Sequence, residues 1–379
     1  MRNIFFLIVT VSMVAAVLLL LYISQRTVKI VHSRRPLRHP KRAIVPALLV
    51  WLACFFVLER LWGMVNVVLI LLHLGGIWLL CDGLGALIGR FRRFRQQRRQ
   101  TQQQEQPQCG RRYYAGAVAI VLTIIHLSIG TFLNFHVWQT DYRLYSDKVN
   151  HSLRIALIAD VHLGNTFDGE GFAEHLKRIE EQKPDLLVIA GDFVDDDSRK
   201  EDLLMAARSL QNFRSTYGVY YTHGNHDRGY FRGRDFSAEE LIRILQEHQV
   251  QVMEDSIISI GEDYQLVGRL DKSYLERRSM ELIRRDLDPT KYSIVIDHQP
   301  QDYEEQERAG VDLVLSGHTH GGQFFPFNQV GEWTGTNDQV YGLERRGQTD
   351  FCVTSGISCW ALLFKTGCFS EYVILEINP

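Results

Sequence analysis

Apolar residues form long unbroken runs over the first 135 positions and short, interrupted runs after about 150. The run Ile4 to Ile23 matches the length needed to cross a hydrocarbon core of about 30 Å at about 1.5 Å per residue. A second block, Ala43 to Gly89, is interrupted by Glu59-Arg60 and divides into spans at 43–58 and 61–81, the first short enough that a re-entrant hairpin competes with it. The last run, Tyr113 to Phe135, carries Tyr113, Tyr114, Phe135 and Trp138 at its ends, as an interfacial aromatic belt does. The pattern predicts a transmembrane region over 1–140 with four helices, at about 4–24, 43–58, 61–81 and 113–135. A cleaved signal peptide competes for the first run. That run is long for such a segment, and Tyr22-Ile-Ser-Gln-Arg follows it in place of a small-residue cleavage site.

From about 150 the pattern changes to β-rich runs alternating with helix-period stretches. Arg154-Ile-Ala-Leu-Ile-Ala-Asp160 and Asp185-Leu-Leu-Val-Ile-Ala-Gly-Asp192 are apolar throughout, as strands buried on both faces must be. Gly171 to Gln182 places Phe172, Leu176 and Ile179 on one helical face, and Glu201 to Phe213 is the next helix. Val219-Tyr-Tyr-Thr and the segments 264–269, 293–297, 311–316, 351–354 and 371–377 complete the strands. This alternation predicts one α/β domain over 150–379.

Charge separates the same two parts. The chain of 379 residues has a formal charge of −2, but residues 1–112 hold seventeen Lys/Arg against three Asp/Glu, and the remainder twenty-five against forty-one. Arginine and lysine crowd the 26–42 and 90–112 connections, and short loops this basic stay in the cytoplasm. The expected location is therefore the cell (inner or plasma) membrane, multi-pass, with the 150–379 domain on the outer face. The low-complexity stretch 91–108 is expected to be a solvated loop attracted to anionic headgroups, and no nucleic-acid partner is expected.

The polar residues of the second half fall where α/β sheets place their ligands, at or just past the C-terminal ends of strands. They are Asp160-x-His162, Gly191-Asp192, Gly224-Asn225-His226-Asp227, His298, and Gly317-His318-Thr319-His320. Carboxylate, imidazole and amide oxygen without thiolate suit Mn, Fe or Zn, and the donors are too many for one ion. Two divalent metal ions sharing one carboxylate account for them, clamping a phosphoryl group between ions about 3.5–4 Å apart. Taken singly, each of these residues is better explained as a cap or hydrogen-bonding group; together, at strand ends, they point to metal.

These blocks, in this order, resemble the calcineurin-like metallophosphoesterase superfamily. Ser316-Gly-His-Thr-His-Gly-Gly-Gln323 with Asp297-His-Gln-Pro300 is similar to its membrane-associated bacterial branch. The resemblance covers about 152–379 and implies a four-layer α/β/β/α sandwich. It implies that Asp160, His162, Asp192 and His320 hold one metal, and that Asp192, Asn225, His298 and His318 hold the other. It further implies that His226 faces the substrate, with Asp227 orienting its ring. The expected activity is a membrane-anchored phosphomonoesterase, phosphodiesterase or pyrophosphatase working by attack of a metal-bridging hydroxide, on a lipid or cell-envelope phosphate. Two alternatives are a cytoplasm-facing lipid-linked pyrophosphatase, similar to UDP-diacylglucosamine hydrolases, and an inactive membrane module that senses phosphorylated ligands.

Other residues carry weaker signals. His223 is expected to be a satisfied loop histidine, Asp195-Asp-Asp197 a solvated loop leading to a helix cap, and Arg228 and Tyr230 candidates for contacting the substrate phosphate. His73 and His126 are expected to hydrogen-bond within the membrane. Gly164 and Gly321-Gly322 suit tight turns or, equally, a close backbone approach to phosphate. Cys352, Cys359 and Cys368 permit one bridge, with 359–368 the nearest pair, or none.

Overall fold

The computed structural model describes residues 2–99, 113–230 and 233–379, so much of the basic 91–108 stretch lies outside the described residues. The chain divides into two compact units, Met1–Ile129 and Gly130–Pro379.

The first unit is helical: α1 (Arg2–Arg34), α2 (Ile44–Arg99) and most of α3 (Ala115–Phe135). Among the described residues three helices are long and apolar enough to cross a membrane: Thr10–Arg34, Ile44–Arg95 and Ala115–Phe135. The interruption expected at Glu59-Arg60 is absent, because both residues lie inside α2. The break comes instead at Gly63, whose φ of 79° and ψ of 156° only glycine adopts without strain. The chain reverses there. Trp51 Nε1 donates to Thr27 Oγ1 at 3.0 Å, and Tyr22 Oη donates to Asp82 at 2.6 Å. On a straight helix residues 51 and 82 would stand about 46 Å apart, yet both reach one stretch of α1 about 8 Å long. Asp82 ties α2 to α1 and to the segment leading into α3, since it also accepts from Tyr113 Oη at 2.6 Å and pairs with Arg26 at 2.7 Å. His73 hydrogen-bonds the Leu69 carbonyl and its ring lies 5.4 Å from that of His126.

The second unit is a sandwich of two six-stranded sheets. The first sheet runs β1 (Val137–Tyr145), β12 (Ser370–Asn378), β2 (Leu153–Ile158), β3 (Leu186–Ala190), β4 (Val219–Thr222), β5 (Val250–Val252). The second runs β10 (Gly342–Arg346), β11 (Thr349–Val353), β9 (Leu313–Ser316), β8 (Tyr292–Ile296), β7 (Tyr264–Gly268), β6 (Ser256–Ile260). Helices α4 (Gly169–Glu180), α5 (Lys200–Gln211) and α6 (Ala238–Glu247) cover the outer face of the first sheet, while α7 (Met280–Arg284) and α8 (Tyr303–Ala309) cover that of the second.

The two-residue period of a strand builds these layers. In β3, Leu187 and Ile189 face the helices, and Leu186, Val188 and Ala190 face the other sheet. In β9, Leu313 and Leu315 point into the layer between the sheets and Val314 points out to α7 and α8. Helix α4 begins where Asp168 caps the Gly171 N–H at 2.9 Å, and it buries Phe172, Leu176 and Ile179. Each fully buried side chain of this kind contributes about 1.5–3 kcal/mol. The four-layer α/β/β/α arrangement follows.

Strands β2, β3 and β4 are mutually parallel, as are β7, β8 and β9. Their C-terminal ends therefore open on one edge of each sheet. Four strands escape the sequence pattern, β1, β5, β6 and β10; of these β1 pairs with β12 along all nine residues and starts two positions after α3 ends.

Candidate metal centre

Asp160, Asp192, His298 and His318 each stand two residues past the end of β2, β3, β8 and β9, and Asn225 stands three past β4. The connections hold each other in register beyond the sheet. Asp160 N–H donates to the Gly191 carbonyl at 3.1 Å, His162 N–H to Asp192 at 3.1 Å, and Gly317 N–H to His298 at 3.0 Å. Five of the expected ligands have left-handed backbones: Asp160 (φ 54°), His162 (40°), Asp192 (53°), His318 (72°) and His320 (49°). Each costs about 1–2 kcal/mol relative to ordinary backbone, and such strain clusters at functional sites. Close approach requires glycine beside them. A Cβ on Gly224 would lie 2.1 Å from Asp192 Oδ1, and one on Gly317 would lie 2.6 Å from Asp160 Oδ2.

The side chains converge. Asp160, His162 and His320 form one group, and Asp192, His298 and His318 another, with donor atoms within 4.8 Å of one another in each. Asp192 joins them: its Oδ2 is 3.1 Å from His298 Nε2 and 3.7 Å from His162 Nε2. Asn225 Oδ1 lies 3.2 Å from the same His298 nitrogen. His298 is aimed by a hydrogen bond between its Nδ1 and the Ala190 carbonyl at 2.8 Å. Beside it, buried Asp297 is clamped by Arg269 at 2.8 Å, Arg277 at 2.7 Å and Gln306 at 2.7 Å.

Nε2 of His162 and Nδ1 of His320 are buried without a hydrogen bond, while Nδ1 of His162 faces a carboxylate oxygen of Asp195 at 3.2 Å. Buried imidazoles left unsatisfied are costly unless something else takes their lone pairs. A divalent cation among these carboxylates does so, and the mixture of oxygen and nitrogen donors suits it. The residues fit a metal.

Electrostatics agree. Burial, reinforced by the Asp192 charge, pushes Asp160 up to about 6 against the pull of nearby imidazoles. Burial and the neighbouring His298 bring His318 down to about 4, which leaves it neutral and able to ligate.

Two expectations are corrected. Asp227 does not orient the His226 ring. Its carboxylate accepts four backbone N–H bonds, from Asp192 (2.9 Å), Phe193 (2.8 Å), Val194 (3.0 Å) and Gly224 (2.8 Å), and so fixes the turn that carries Asp192. The ring partner is Asp195, whose Oδ1 lies 3.0 Å from His226 Nδ1 while its Oδ2 lies 3.2 Å from His162 Nδ1. Asp195 is thus buried in the site and not part of a solvated loop. Burial opposes its charge, but the imidazoles of His162 and His226 outweigh burial and hold its carboxyl well below the usual range. His226 responds in kind. Burial works against its charge, yet the bond to Asp195 and the charges of Asp192 and Asp195 raise its pKa above the ordinary imidazole value.

His226 is half-buried at the mouth of the site, its ring centroid 5.1 Å from Tyr230 and 5.5 Å from Trp360. Asn225 Nδ2 donates to Tyr230 Oη at 3.0 Å. Arg228 donates to the Ser273 carbonyl at 3.4 Å and lies over the Tyr274 ring. His223 is satisfied by Glu254 at 2.8 Å, as expected of a loop histidine. Cys352, Cys359 and Cys368 are free thiols. Burial pushes Cys359 up to about 12, which rules it out as a nucleophile.

The calcineurin-like phosphoesterase family profile matches residues 153–322. A metallophosphoesterase of Campylobacter jejuni is 32% identical over 232 residues, covering 60% of this chain and 59% of the relative. One from Aquifex aeolicus is 32% identical over 192 residues, covering 48% of this chain and 70% of the relative. A zebrafish (Danio rerio) transmembrane protein with metallophosphoesterase domain is 30% identical over 192 residues, covering 46% and 42%. The chain spans about three fifths of the length of the first bacterial relatives it matches. Strand-end carboxylates and imidazoles on a double sheet, joined to these likenesses, make the chain a member of the calcineurin-like phosphoesterase family.

Proposed function

We propose that this is a membrane-anchored phosphoester hydrolase that works with two divalent ions, Mn, Fe or Zn, on a phosphomonoester or phosphodiester of a lipid or cell-envelope component. The observation that carries the reading is the position of Asp192, whose one oxygen faces imidazoles of both donor groups. Asp160, His162, Asp192 and His320 would hold one ion, and Asp192, Asn225, His298 and His318 the other. Bound there, such ions supply Lewis-acid polarisation of the phosphoryl oxygens and lower the pKa of coordinated water.

The protein's own groups do the rest. Asp195 holds the His226 ring by Nδ1 and favours its cationic form, so that Nε2 bears the proton needed by the departing oxygen. The same cation offsets charge gathering on the phosphoryl oxygens. Asp227 keeps the β3 turn in the shape that presents Asp192. With α2 reversing at Gly63, the helical unit crosses the bilayer four times, basic loops in the cytoplasm and the catalytic unit outside.

The test is hydrolysis of bis-p-nitrophenyl phosphate by the full chain with added manganese, alongside metal analysis. Asp192→Ala should lose both ions and all turnover, while His226→Ala should lose turnover and keep its metal. Metal loss in the second variant overturns the assigned roles. A reporter fused after Pro379 that gives a cytoplasmic signal overturns the orientation and favours the pyrophosphatase alternative.

A further inference from the structure

The catalytic unit carries large aromatic side chains that its core does not use. Phe325, Phe327 and Trp333 are 63%, 67% and 69% exposed. They lie on the segment that leaves His320, and no charged residue occurs between His320 and Glu332. Large apolar side chains exposed on one uncharged segment point to a surface that meets another apolar phase.

The neighbouring chain says which phase. Thr366 N–H donates to the Gln323 carbonyl at 2.8 Å, and Phe325 N–H donates to Thr366 Oγ1 at 3.3 Å, so the aromatic segment rests on residues 364–367. Those residues are in turn fastened to α3: Lys365 N–H donates to the Gly130 carbonyl at 3.0 Å. A Cβ on Gly130 would meet Lys365 O and Thr366 Cγ2 at 3.0 Å, so the contact needs glycine there. Gly130 lies about 8 Å along the axis before α3 ends at Phe135. Irregular backbone does not face acyl chains, so a loop bonded to the last two turns of α3 stands where that helix leaves the hydrocarbon core and enters the headgroup layer. Aromatic rings favour that layer. Within the 357–370 loop the only charge is Lys365, and its ammonium is buried and donates to the Ser355 carbonyl at 2.8 Å.

Both loops also reach the site. Gln323 is three residues, about 10 Å of chain, from His320. Trp360 lies 5.5 Å from His226. We propose that the 323–333 segment, through Phe325, Phe327 and Trp333, dips into the interfacial layer of the bilayer beside α3 and sets the mouth of the metal centre against it, so that the substrate is a phosphoester carried on a lipid. This rests on the hydrolase reading above and adds the surface that selects the substrate.

The test uses the full chain in phosphatidylcholine vesicles. The probes are soluble bis-p-nitrophenyl phosphate and a p-nitrophenyl ester of phosphatidic acid embedded in the same vesicles. F325S/F327S/W333S should leave the soluble rate within about twofold and lower the vesicle rate at least about tenfold. The emission lost on Trp333→Phe should be the part of the wild-type signal that brominated phosphatidylcholine quenches. Equal vesicle rates in variant and wild type, or a Trp333 component that brominated lipid leaves untouched, overturn the proposed surface. A wild type that cleaves the soluble ester and not the lipid ester overturns the substrate class. Failure of the underlying hydrolase reading is separate: neither ester is then cleaved with manganese present, while the quenching still reports whether the segment inserts.

Discussion

Asp195 Oδ1 lies 3.0 Å from His226 Nδ1, and its other oxygen lies 3.2 Å from Nδ1 of His162. One carboxylate thus backs both the ring at the mouth and a buried donor. Asp195→Asn should leave the fold intact and lower kcat by about 10²-fold, the contribution of a positioned general acid. The alkaline limb of the pH–rate profile should also move to lower pH. The sign follows from the raised His226 pKa: the protonated ring is the active form, and removing the charge that holds its proton lets the proton leave earlier as pH rises. A limb that stays in place would show that Asp195 does not act through His226.

Asp227→Asn should behave differently. An amide cannot accept the four N–H bonds made now, and bonds to a charged acceptor are worth about 1.5–3 kcal/mol each when fully formed. The expected outcome is a lower melting temperature together with reduced metal content, because the turn under Asp192 is no longer fixed. Full metal content with a selective loss of turnover would restore the role in orienting His226.

Metal affinity should depend on pH through Asp160. With its pKa pushed up to about 6 in the metal-free protein, a proton must leave before the carboxylate can ligate below that pH. Manganese affinity measured calorimetrically should therefore fall about tenfold per unit as pH drops below 6, with proton release seen in buffers of different ionisation enthalpy. An ordinary carboxylate at 160 would add nothing to that fall until about pH 4, leaving only the imidazole ligands to release protons.

Gly224→Ala tests the close approach to Asp192. The added Cβ would lie 2.1 Å from Asp192 Oδ1 and 2.2 Å from its backbone nitrogen, so the turn must move. A loss of about 1–3 kcal/mol in stability and a marked drop in bound metal are expected from melting and elemental analysis. Gly164→Ala makes a control for the space. Nothing would lie closer than 3.8 Å to its Cβ, although its positive φ still carries strain.

Much of the second unit was legible because its central strands are apolar on both faces and end in the candidate metal ligands. Strands β2, β3, β8 and β9 announce themselves this way, and Asp160, Asp192, His298 and His318 follow each by the same two-residue step. Strand β1 did not. Its sequence Val-Trp-Gln-Thr-Asp-Tyr-Arg-Leu-Tyr alternates weakly, and its partner β12 lies at the far end of the chain, so no local signal marks the pairing. Asp195 escapes the local pattern for a similar reason. Its place under the two imidazoles depends on a turn closed by Ser198, whose Oγ accepts from Asp195 N–H at 2.8 Å and donates to the Leu163 carbonyl. The Asp195-x-x-Ser198 spacing was the available clue. In the helical unit, Glu59-Arg60 suggested a boundary because charge suggests water, but a helix tolerates that pair and reverses where glycine permits.

The five left-handed ligand positions make the two sheets and the metal interdependent. Backbone held in costly conformations stays there only while its surroundings outweigh it, and here the surroundings are rigid strands on one side and, in the proposed centre, the ions on the other. Without ions the strand-end loops become the least stable part of a stable sandwich and the first to open to hydrogen exchange. Loading the centre would then do more than install reagents: it would finish folding the edge on which they act.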